Sequence, residues 1–65
     1  MALRISDKQG VLGWIWQDGD HLTGDSAMAQ RLADQYQARH GEQAYAELAK
    51  LDNGYVRASE SERAD

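Results

Sequence analysis

The segment Val11–Gln17, Val-Leu-Gly-Trp-Ile-Trp-Gln, runs straight into Asp18-Gly19. β-Branched and aromatic residues fill it, and Gly13 is its one breaker, so it reads as a strand. Asp-Gly is a favoured two-residue hairpin loop of type I′. The segment therefore predicts a hairpin, with 20–23 as the returning strand. Leu3-Arg4-Ile5-Ser6 alternates apolar and polar, the period of a half-buried strand. Lys8-Gln9-Gly10 reads as the turn between. The hairpin then extends to a three-stranded antiparallel meander over about 3–7, 11–17 and 20–23.

After Gly24 the period changes. Thr23, Asp25 and Ser26 are each suited to cap a helix. Met28, Leu32 and Tyr36 follow at i, i+4 and i+8, with Ala29 and Ala33 beside them, which makes one apolar helical stripe. Arg39-His40-Gly41 has the form of a helix end. Ala44, Leu48 and Leu51 share a face of a second helical stretch. One kinked helix or two helices, about 25–40 and 42–51, would then pack on one sheet face. The fold class expected is α+β, with residues 1–56 as a single domain. Residues 57–65 are small, polar and charged, and are expected to form a flexible tail.

Size limits this design. The chain has 65 residues and no cysteine, so no disulfide supplements a small core. Seventeen large apolar side chains and ten alanines must suffice, which raises the value of close packing or association. The lack of cysteine fits a reducing compartment. No segment has the length and apolarity of a signal sequence or a membrane span. A cytoplasmic protein without membrane contact is expected.

The chemistry-bearing residues are few. His21 and His40 lie far apart in sequence, and no serine sits in a Gly-x-Ser-x-Gly pattern. Asp18, Asp20, His21 and Asp25 form the one local group of potential metal ligands. They miss the calcium-loop pattern, because Leu22, Thr23 and Ala29 occupy positions that need a ligand, a glycine and a glutamate. The glycines form no phosphate cradle. No enzyme activity, cofactor or metal is expected. The net charge of −4 is spread along the chain, which disfavours binding through phosphate neutralisation.

The informative anomaly is the strand itself. Leu12, Trp14 and Trp16 point one way, and Val11, Gly13, Ile15 and Gln17 the other. Both sets are apolar, whereas a small sheet covered on one side should alternate cleanly. One face is therefore expected to meet a partner. Tryptophans belong more often in a core, so Val11, Gly13 and Ile15 are the expected contact patch, with Trp14 and Trp16 as the alternative face. The function expected is a non-catalytic protein-interaction module, such as an inhibitor or accessory protein of a phage or mobile element. It would bind a protein partner or self-associate. The alternative is a small DNA-binding regulator using residues 26–51, for which Arg31, Arg39 and Lys50 would have to converge.

Overall fold

A computed structural model of the chain describes residues 1–62. Strands β1 (Ala2–Asp7), β2 (Gly10–Asp18) and β3 (His21–Gly24) come first. Helix α1 (Ala27–His40), a 3₁₀ turn (Gly41–Gln43), helix α2 (Ala44–Leu48) and strand β4 (Arg57–Ser61) follow. Among the described residues the sheet has four antiparallel strands in the order β3-β2-β1-β4. The helices pack on one face, giving the expected α+β class.

Local chemistry sets each boundary. The carboxylate of Asp7 accepts from the backbone N–H groups of Gln9 (2.8 Å) and Gly10 (3.1 Å), closing the first turn. The second loop lies one residue further on than the sequence suggests. Asp18 pairs with His21, so Gly19 and Asp20 are its central residues. Gly19 has φ of 61°, while no non-glycine residue has positive φ, the signature of a type II′ turn. The Ser26 hydroxyl accepts from the N–H of Ala29 and caps α1. Gly41 ends α1 with φ of 58°, and its N–H donates to the carbonyl of Gln37. This glycine separates two helices, and the second is shorter than the 42–51 expected.

The core is Leu3, Ile5, Ile15, Leu22, Ala29, Ala33, Ala44 and Leu48. Alanine is the residue that lets α1 lie close on the sheet. Two glutamines of α1 reach past the core to the outer edge of β3. Gln37 accepts from the N–H of Leu22 and Gln30 from that of Gly24, each at 3.0 Å. These donors would otherwise face outward from an edge strand and invite pairing with another chain.

The far edge corrects the expected tail. Residues Arg57–Ser61 are not a flexible extension but strand β4, paired with β1 from Ser6↔Arg57 to Ala2↔Ser61. The remaining tail residues 63–65 lie outside the described residues. A turn at Asp52–Gly54 returns the chain, with Asn53 accepting from the N–H groups of Tyr55 and Val56 (both 2.9 Å). The N–H of Ala58 donates to the carbonyl of Leu51. The hydroxyl of Tyr45 on α2 donates to the Glu60 carboxylate at 2.7 Å and fastens β4 to the helical layer.

That contact has a titration signature. Burial, then the hydrogen bond to Glu60, then the Glu60 charge push the Tyr45 hydroxyl from 10.0 up to about 12. The folded state thus favours the neutral phenol. The stability this contributes is complete below pH 10 and is lost as pH rises towards 12. Phenolate absorbance should show one tyrosine ionising near 12, and Tyr45→Phe should remove that step. A titration with no late step would mean that β4 is not held against α2.

Candidate functional site

Two glycines decide which face of β2 the helices cover. A Cβ on Gly13 would stand 2.6 Å from the Ser26 hydroxyl and 2.9 Å from the Cβ of Ala29. A Cβ on Gly24 would stand 2.5 Å from the backbone nitrogen of Gln30 and 2.6 Å from the carbonyl carbon of Ala29. All four distances are shorter than real Cβ contacts, so the first turn of α1 can settle here only over glycine. Polar contacts lock the same corner. Asp25 accepts from the N–H of Trp14 at 2.8 Å, and its own N–H donates to the Trp14 carbonyl at 3.1 Å. The Ser26 hydroxyl donates to the carbonyl of Leu12 at 3.1 Å.

Gly13 and Ile15 therefore lie under α1, and Ile15 is fully buried. Strand alternation sends Trp14 and Trp16 to the opposite face, which no element of the described residues covers. This corrects the expected contact patch of Val11, Gly13 and Ile15. Ile15 and Gly13 belong to the interior, and the tryptophans stand outside the core cluster. Val11 alone of that patch is at the surface, 55 % exposed. A β-bulge explains why it parts from its neighbours. Ile5 pairs with Gly13 but Ser6 pairs with Val11, so Leu12 is an extra residue and Val11 moves to the face of Ser6. Leu12 packs against the core.

The register lays out the open face in three rows. Trp14 is across from Arg4, which is across from Ser59. Trp16 is across from Thr23, and Ala2, one rung beyond the Leu3↔Ile15 pair, is across from Ser61. Val11 is across from Ser6, which is across from Arg57. Both tryptophans are half-buried in this layer. Ala2 is only 4 % exposed although it lies outside the core cluster. Two polar atoms on the middle row, Nε of Arg4 and Oγ of Ser59, are shielded from solvent without a hydrogen-bond partner. A buried polar atom in that state costs about 1–3 kcal/mol until an acceptor or donor reaches it. The composition signalled neither Arg4 nor Ser59; only the strand register brings them beside Trp14.

The other candidates take structural places. Asp25 is engaged with β2, Asp18 and His21 face each other across a hairpin, and the His40 ring lies 5.5 Å from that of Tyr36. Among the described residues no three His, Asp or Glu side chains gather as a metal site. No helix there is long and apolar enough to cross a membrane. Arg31 and Arg39 line one groove, whereas Lys50 pairs with Glu47 at 3.7 Å and does not join them. Helix α2, at five residues, is short for a recognition helix. No protein-family model, curated protein or solved structure matches the chain.

The face assignment makes two substitutions diverge. Ile15→Lys forces a charge into the core and should cost about 3 kcal/mol or more, enough to unfold a domain of this size. Trp14→Ala removes a half-covered ring from an open face and should cost about 1–2 kcal/mol. Chemical denaturation measures both. The opposite ranking would place the tryptophans in the core.

Proposed function

We propose that the chain is a non-catalytic protein-interaction module that docks a protein partner on the open face of its sheet. The observation that carries this is the uncovered row of Trp14, Arg4 and Ser59, flanked by Trp16 and Val11. Tryptophan and arginine are the side chains most enriched where binding energy concentrates, because they combine area with a polar handle. The half-exposed Arg4 side chain in that row offers a partner carboxylate a charge-assisted contact.

Area favours a foreign partner over a face-to-face pair of copies. Four strands about 4.8 Å apart and five residues long present roughly 300 Å². A stable interface takes about 800 Å² per partner, so the occupant must extend beyond the sheet. An inhibitor or accessory protein of a phage or mobile element would work in this way. A cytoplasmic setting agrees with the absence of cysteine.

Arg4→Glu and Trp14→Ala test the proposal together. Both should keep the native circular dichroism spectrum. In affinity capture from the source cells, both should lose a protein that the wild-type chain retains. Equal capture by wild type and both variants would refute the open face as the docking site.

A further inference from the structure

A second surface lies on the helical side of the molecule. A groove of about 360 Å³ runs between α1 and the segment 51–56. Its near wall is the ridge Met28, Leu32 and Tyr36, and its far wall includes Leu51 and Val56. Four of these pack against the core from the outside, while Met28 is 55 % exposed. Burying a methionine at this position would remove apolar surface from water, and nothing within the described chain does so.

The rim of the groove has its own chemistry. Arg31 and Arg39 stand along it with Gln35 between them, a second ridge at i, i+4 and i+8 parallel to the apolar one. No acidic residue lines the groove, although the chain as a whole carries −4. Among the described residues neither arginine has an ion-pair partner. Eight residues of helix place the two cations about 12 Å apart along the axis. That distance matches carboxylates seven or eight residues apart on another helix, with the apolar residues at i+3 and i+4 facing the groove between them.

We propose that this groove binds an acidic amphipathic helix of a partner protein, with its apolar side in the groove and its carboxylates at Arg31 and Arg39. A second copy fits poorly, because symmetric pairing across α1 would set the same arginines against each other. A nucleic acid fits poorly as well. Two cations neutralise too little phosphate, and the one aromatic ring of the lining, Tyr36, is half-buried against the core, where stacked bases need an open aromatic platform. The groove and the open face use different residues, so each stands or falls alone.

The test uses the full chain, isotope-labelled, and nuclear magnetic resonance. The probe is a helical peptide with Glu at i and i+7 and Leu at i+3 and i+4. The expected result is shift changes at Met28, Leu32, Tyr36, Leu51 and Val56 that weaken as salt is raised. The double variant Arg31→Glu/Arg39→Glu, both on an exposed helix face, should fold normally and bind at least about tenfold more weakly. A peptide with Lys in place of both Glu should also fail. The proposal is overturned if about 1 mM peptide leaves the groove unmoved. It is also overturned if the double variant binds equally well, if the shifts map to Trp14 and Trp16 instead, or if a single-stranded oligonucleotide binds the groove more tightly than the peptide.

Discussion

The approach of the first turn of α1 to Gly13 and Gly24 is the contact on which the rest of this small structure depends. Helix backbone meets Gly24, and the side chains of Ser26 and Ala29 meet Gly13, with no room for a methyl group at either. Ser26 joins two elements at that corner, accepting from the helix and donating to β2. Asp25 adds a pair of hydrogen bonds to Trp14 of β2, its carboxylate accepting from the N–H and its own N–H donating to the carbonyl. Once the helix is seated over the glycines, strand alternation leaves no choice about Ile15 and Trp14. One is sealed beneath alanines, and the other is turned to the opposite side.

Sixty-five residues support one layer of helices and one sheet. The chain manages its strand edges with the residues it has. Gln30 and Gln37 satisfy β3 from above, and the segment around Leu51 meets β4 at Ala58. Tyr45 ties β4 to α2. No comparable device covers the broad outer face of the sheet within the described residues. That face holds apolar rings together with two shielded polar atoms lacking hydrogen-bond partners, a combination that is costly to the folded chain.

Much of the fold was legible because its signals were local. The hairpin followed from a run of β-formers ending at a glycine turn. The helix followed from the Met28–Leu32–Tyr36 stripe, with Ser26 among three candidates for its cap. The hairpin loop fell one residue late because type II′ places glycine first, and Gly19 serves that position. Strand β4 escaped notice because Arg-Ala-Ser-Glu-Ser contains no β-former. Pairing with the free edge of β1 makes it a strand, a long-range cause that local composition does not carry. The candidate site was read with its faces exchanged. Gly13 does mark a close approach, but what lies over it is side chain from this chain's own helix start, the Ser26 hydroxyl and the Ala29 methyl, and not a partner's backbone. Period alone says that two faces differ, never which one the helix will cover.

The central claim is that Trp14 and Trp16 lie on the open side of the sheet in the isolated protein. Collisional quenching of native tryptophan fluorescence by acrylamide addresses it directly. The account predicts that the folded chain is quenched at a substantial fraction of the efficiency seen after unfolding. Native emission that resists acrylamide, and yields to it only on denaturation, would contradict it.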